Sequence, residues 1–305
     1  MFGYLIGLFS SIIYIWIFAF YRPKLQIEKE TSGKLFSFGT PYMVQGINGF
    51  VMSRGDNLIV AKLWGNTQLA FYNFAWQLPL IISTFVQSID SMLLPVYAKL
   101  NTKTLDLKRV FNLHNKMWAI FGTFLGFILV LYADLIVSIL YGQKWLEVVP
   151  ILKIMAISFV IRYSTGYGYD HLVVIRGRTK YMMKWGIINT LLLLTLGFYL
   201  IYKMGPIGGA WFWVIQCIIL IPLIRFPLIY SELKTLEFLK SIWQPIVSGL
   251  FGYFSSYIFL QKISKYYIAV GVSLIIYFIV YFLLLFLLDK HFINDIKKII
   301  TLIKY

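Results

Sequence analysis

Apolar residues run along this chain in long blocks rather than in alternation with polar ones. A helix needs about 20 mostly apolar residues to cross a hydrocarbon core of about 30 Å. On that measure nine blocks read as spans: residues 3–20, 36–63, 69–97, 113–132, 148–175, 181–202, 206–230, 243–260 and 268–288. The expected fold is therefore an all-α polytopic membrane protein.

The polar stretches between the blocks test this reading through charge, because short cytoplasmic loops retain Lys and Arg. Residues 22–34, 99–116, 176–184, 225–240 and 290–304 hold most of the basic side chains, whereas the opposite loops hold only Lys144, Lys203, Lys262 and Lys265. The alternation puts the N-terminus outside and the C-terminus in the cytoplasm. The first block lacks a basic n-region and is followed by Arg22 and Lys24, so it reads as a retained span. Leu233, Leu236 and Leu239, and likewise Ile293, Ile296, Ile300 and Ile303 beside Lys297 and Lys298, recur at helical spacing. Both stretches are expected to lie on the inner leaflet.

Composition agrees with lipid as the solvent: 60% of residues are hydrophobic, 13% are charged, and the mean hydropathy is +0.77. The 9 Trp and 22 Tyr suit the headgroup level. A net charge of +16 would suggest nucleic acid in a soluble protein, but topology accounts for it here, so no nucleic-acid partner is expected. The single Cys217 excludes disulfides and thiolate metal sites. With three His, no Gly-rich phosphate loop and no clustered carboxylates, neither an enzyme nor a cofactor is expected.

Charged side chains inside spans are costly and mark cavities or partners. The second span carries Arg54, Asp56, Asn57 and Lys62. Arg54 and Asp56 are two apart, cannot share a face, and each needs a partner on another helix or a wet cavity. Lys62 reads as an interfacial snorkel. In the third span Asn73, Gln77, Thr84, Gln87, Ser88 and Ser91 fall on one helical face, Pro79 and Pro95 interrupt it, and Asp90 lies off the stripe toward a neighbouring helix. Such a stripe lines a transport path or glues helices together. The fifth span carries Lys153 and Arg162; Arg162 is too deep to snorkel, while Lys153 can reach water. Asp170 and His171 follow, and His171 reads either as a titrating group or as a structural one.

Four stretches, SRGDNLIVAKLWGNTQLAFYNFAWQLP (53–79), MLLPVYAKL (92–100), LYGQKWLEVVPILKIMA (140–156) and LVVIRGRTKY (172–181), resemble in order and spacing the C-terminal part of the polysaccharide flippases. These are the lipid-linked oligosaccharide exporters of the multidrug/oligosaccharidyl-lipid/polysaccharide superfamily. Ala70 departs from the Gly usual there. The resemblance implies a MATE-like fold: residues 1–35 as the last helix of an otherwise absent N-terminal bundle plus linker, 36–230 as a six-helix bundle, and 231–305 as a two-helix extension with an amphipathic tail. N-terminal truncation is the expected reason for the missing bundle. It also implies alternating access for an undecaprenyl-diphosphate-linked oligosaccharide in the cytoplasmic membrane, driven by H+ or Na+, with membrane lipid and polysaccharide-assembly proteins as partners. Arg54, Asn73, Gln77, Gln87, Lys153 and Arg162 are then the substrate-binding candidates, and Asp56, Asp90 and Asp170 the ion-coupling candidates. A drug/cation antiporter and a non-transporting assembly subunit are the alternatives.

Overall fold

A computed structural model describes residues 2–18, 29–101, 104–234, 236–262 and 266–289. The amphipathic stretch 293–303 lies outside them. The described residues are helical, joined by short turns. The chain divides into two compact units, residues 1–40 and 41–305. The first holds helix α1 (Phe2–Phe18), whose apolar side chains, Phe9 and Trp16 among them, are exposed.

Helix α2 (Lys29–Asp90) is far longer than one span, and Gly65 divides it. Its φ of 81° and ψ of 177° are open to glycine at little cost, so the helix breaks between the second and third spans read in the sequence. Pro79 is carried within the helix, and the chain turns at a 3-10 segment, Ser91–Leu93, before the short α3 (Leu94–Lys99) with Pro95 in its first turn. Helices α4 (Thr104–Leu131) and α5 (Ala133–Leu140) follow. The fifth span is broken: α6 (Val148–Ser164) and α7 (Tyr169–Ile175) meet at 47°, with Gly166 at φ +73° between them.

Helices α8 (Thr179–Leu192) and α9 (Phe198–Met204) run on through a π turn at Leu193–Gly197, and α10 (Pro206–Ile215) and α11 (Ile221–Leu233) through another at Gln216–Leu220. The last two helices are α12 (Trp243–Lys262) and α13 (Tyr266–Leu288). Among the described residues, five helical stretches are long and apolar enough to cross a membrane, or six counting the bent α6–α7 pair. The nine-span reading counted more, and the differences are physical. One stretch, Gly39–Lys99, contains both the second and third spans; α1 is only 17 residues long; and α12 carries Gln244, Ser248, Ser255, Ser256 and Gln261.

Polar groups turn inward and apolar ones outward, as lipid requires. Ile275, Ile279 and Phe286 of α13 are exposed, while Tyr277 and Tyr281 are buried and donate to the Phe124 and Ile120 carbonyls of α4 at 2.9 and 2.8 Å. Lys116 of α4 and Asp289, just past α13, form a buried ion pair at the same seam. The stretch after α11 is not simply interfacial: Leu233 and Phe238 are core residues against α4 and α7.

Close helix approach rests on small residues. A Cβ on Gly208 would sit 2.0 Å from the Leu200 carbonyl oxygen, a backbone atom that cannot step aside. Gly208→Ala is expected to lower stability by about 1–3 kcal/mol. A fall in the thermal midpoint of the purified protein in detergent checks this.

Candidate functional site

The candidate site is a cavity of about 720 Å³ inside the second unit, within the usual size of ligand pockets, about 300–1,000 Å³. Its wall comes from both halves of α2 and from α6, α7, α8, α10, the π turn after α10, and α11. Arg54, Asn73, Gln77, Gln87 and Arg162 all line it, as do Asp56 and Asp170. Of the stripe read in the sequence, Asn73, Gln77 and Gln87 face the cavity, with Ser83 and not Thr84 between them. Thr84, Ser88 and Ser91 instead donate to carbonyls of their own helix at 2.8–2.9 Å.

Asp56 anchors the wall. Its carboxylate accepts from the Tyr72 hydroxyl at 2.8 Å and the Trp213 indole N–H at 3.0 Å, and the residue is 2% exposed. Two halves of α2 and helix α10 thus converge on one buried acid, with the Trp76 ring edge-on to Trp213 at 5.1 Å. Among the described residues no ion pair involves Asp56.

Two candidates lie elsewhere. Lys153 is bonded at 2.7 Å to Asp134, at the start of α5, and does not line the cavity. Asp90 also lies off the wall: it turns to α4, accepting from His114 Nε2 at 2.6 Å and Trp118 Nε1 at 3.1 Å.

Several wall residues escaped sequence reading. Arg225 was grouped with the cytoplasmic cations, yet it is 7% exposed on α11, donates to the Thr165 carbonyl at 2.9 Å and sits over the Tyr169 ring at 5.8 Å. That bond satisfies a backbone group freed by the α6–α7 break. Gln45, Asn48, Asn189 and Gln216 are amides in otherwise apolar stretches, and isolation among apolar neighbours was the available signal. Asn48 accepts from Thr190 at 3.0 Å, and Gln216 donates to Asn189 at 3.4 Å. Trp76, Trp185, Tyr163 and Tyr169 add aromatic surface.

Fold and cavity together define a multi-pass α-helical membrane protein whose polar chemistry is turned inward. Residues 1–150 match the model of a family described as polysaccharide biosynthesis protein. The chain is similar to the teichuronic acid biosynthesis protein TuaB of Bacillus subtilis, at 24% identity over 74% of this chain and 47% of that protein. It is also similar to the lipopolysaccharide biosynthesis protein WzxC of Escherichia coli, at 22% identity over 75% and 47%. The family match covers just under half of this chain, and the chain spans about half the length of the curated relatives it matches. No solved structure gives a significant match.

The Asp56 knot predicts a stability effect. Asp56→Leu removes the acceptor shared by the Tyr72 hydroxyl and the Trp213 N–H, which keeps only its longer 3.3 Å bond to Tyr72, and the unpaired hydroxyl costs about 1–3 kcal/mol. Thermal unfolding in detergent should show a clear drop, with Asp56→Asn, which keeps a carbonyl acceptor, losing less.

Proposed function

We propose that the cavity carries the polar head of a lipid-linked oligosaccharide across the cytoplasmic membrane. The observation that carries this reading is the wall itself: three arginines, Arg54, Arg162 and Arg225, against two aspartates, with amides and indole rings between them. A guanidinium is planar and always charged, and matches the oxygens of a phosphate or carboxylate two at a time. Amides donate to and accept from sugar hydroxyls, and tryptophan and tyrosine offer apolar ring faces. A diphosphate-linked sugar presents all three kinds of surface, and undecaprenol is the lipid carrier we assign to it.

The names of the two relatives, teichuronic acid and lipopolysaccharide biosynthesis, support a glycan cargo for this chain. Movement is by alternating access in a MATE-like bundle, with the N-terminus outside and the C-terminus cytoplasmic as the basic loops require. H+ or Na+ supplies the driving force, and Asp56 and Asp170 are the carboxylates on the wall that such an ion would meet. A drug/cation antiporter would want an acidic wall, and the excess of arginine speaks against it.

The test is transfer of a labelled lipid-linked oligosaccharide between leaflets of proteoliposomes. A hydrogen bond to a charged group contributes about 1.5–3 kcal/mol, so Arg162→Ala and Arg54→Ala should each slow transfer about 10- to 100-fold. Arg162→Lys should lose less, and Lys153→Ala should transfer at the unmodified rate. Unchanged transfer in both alanine variants would take the arginines out of the path.

A further inference from the structure

Outside the cavity the structure buries a second set of titratable groups, at the end of α2 where α3, α4 and α7 meet. Asp90 is the hub. His114 Nε2 lies 2.6 Å from Asp90 Oδ1, and the Tyr97 hydroxyl lies 2.8 Å from His114 Nδ1. His171 Nε2 lies 3.0 Å from the Asp90 backbone carbonyl and 3.5 Å from Asp90 Oδ2. Side-chain exposure is 1% for His114, 10% for His171 and 14% for Asp90.

The two imidazoles are not equivalent. Neutral His114 is complete: Nε2–H donates to Asp90 and Nδ1 accepts from Tyr97. A proton on His114 Nδ1 would face the hydroxyl that now donates to it and would turn that donor away from its acceptor. His171 donates through Nε2–H to the Asp90 carbonyl, while its Nδ1 makes no hydrogen bond among the described residues. Partial exposure of His171 and Asp90 gives a proton a way in. Two histidines and one carboxylate carry a net charge of −1 when both rings are neutral, and one proton cancels it, which a dry site favours. The ring adds that proton at the end already without a partner.

We infer that His171, Asp90 and His114 form a proton-binding site in which the proton enters at His171 Nδ1, and that the resulting His171–Asp90 ion pair clasps α7 to the end of α2. The clasp acts on the cavity through the chain. His171 follows Asp170, a wall residue, and lies five residues beyond Gly166, whose positive φ turns the chain at the break. Arg162 and Tyr163 line the wall just before that break, and Tyr169 just after it. Holding α7 therefore fixes the angle at which the two sides of the break present their groups. The identification of H+ as ligand deepens the transport reading and assigns the proton to a site off the wall, distinct from Asp56 and Asp170.

The surroundings of His171 leave Asp90 as its counter-charge. Tyr97 of α3 lies edge-on at 5.0 Å, and His114 of α4 lies at 5.4 Å, ring centre to ring centre. Asp170 precedes it in α7. From α11, Arg225 is engaged with the Thr165 carbonyl and the Tyr169 ring, and Glu232 holds Arg176 and Arg178 at 3.2 and 2.9 Å. From α8, the Tyr181 hydroxyl donates to the Ile224 carbonyl at 2.7 Å.

The chain has only three histidines, His114, His171 and His291, so imidazole ¹⁵N resonances of the whole protein in lipid nanodiscs can be assigned by single His→Gln variants. The expected result is that the His171 nitrogens respond to pH while His114 keeps one neutral tautomer throughout. Asp90→Asn should change the His171 response. A nitroxide on exposed Val174, as Val174→Cys in a Cys217→Ser background, should become less mobile as pH falls, and His171→Gln should abolish that loss of mobility. A His171 that never titrates, a His114 that titrates in its place, a His171 response unchanged by Asp90→Asn, or a nitroxide response that survives His171→Gln overturns the proposal. None of these measurements uses a glycan, so failure here is distinguishable from failure of the transport reading.

Discussion

Hydrocarbon neither donates nor accepts hydrogen bonds, so each polar side chain in a span must find a partner within the protein or look onto a wet cavity. The chain meets that constraint in two ways. Some groups are closed off in pairs and triads: Asp56 with Tyr72 and Trp213, Lys116 with Asp289, and the tyrosines of α13 with carbonyls of α4. Others, Arg54, Arg162, Asn73 and Gln77 among them, stay accessible on the cavity wall. The first set holds helices together; the second stays open to the cavity.

Asp56 belongs to both. Two neutral donors satisfy its oxygens, so no arginine is needed to pair it and the acid group stays on the arginine-bearing wall. An arginine bonded directly to it would have been consumed as a structural partner. The break between α6 and α7 works similarly. Breaking a helix in a membrane frees backbone groups, tolerated where a cavity or another side chain receives them. Arg225 receives the Thr165 carbonyl, so one cation both repairs the break and adds charge to the wall.

Much of this was legible in the residues, and what was not has definite causes. Apolar block length marks the helical fold, and the boundary between the second and third spans falls at Gly65. The cost of ions at depth singled out Arg54 and Arg162, because only a cavity or a partner tolerates them there. Depth also set Lys153 apart as a side chain able to reach water, yet it stayed among the candidates, because its partner Asp134, 19 positions earlier on α5, is brought to it only by tertiary structure. Arg225 was obscured for the opposite reason: its place near other basic residues made it resemble a topogenic charge. Asp90 was correctly set off the polar stripe by helical phase, but its partners lie 24 and 81 positions away, and no local pattern announces them.

The placement of small residues then decides how closely the helices approach. Helix α4 packs tightly on α6, where a Cβ on Gly122 would meet Tyr163 at 2.4 Å and one on Gly126 would meet Val160 at 2.3 Å. On its other side hydroxyl bonds from α13 hold it, and the Thr123 and Tyr281 hydroxyls meet at 2.8 Å. α4 is therefore a fixed spine, and α6 is registered against it as far as Tyr163. Beyond Tyr163 the chain reaches Gly166 and changes direction, and α7 is held both by polar contacts to Asp90 and Arg225 and by Leu172 and Val173 in the core cluster shared with α3, α4 and α11. The break thus joins two packed segments and sets the angle at which Arg162 and Tyr163 on one side, and Tyr169 and Asp170 on the other, meet the cavity wall.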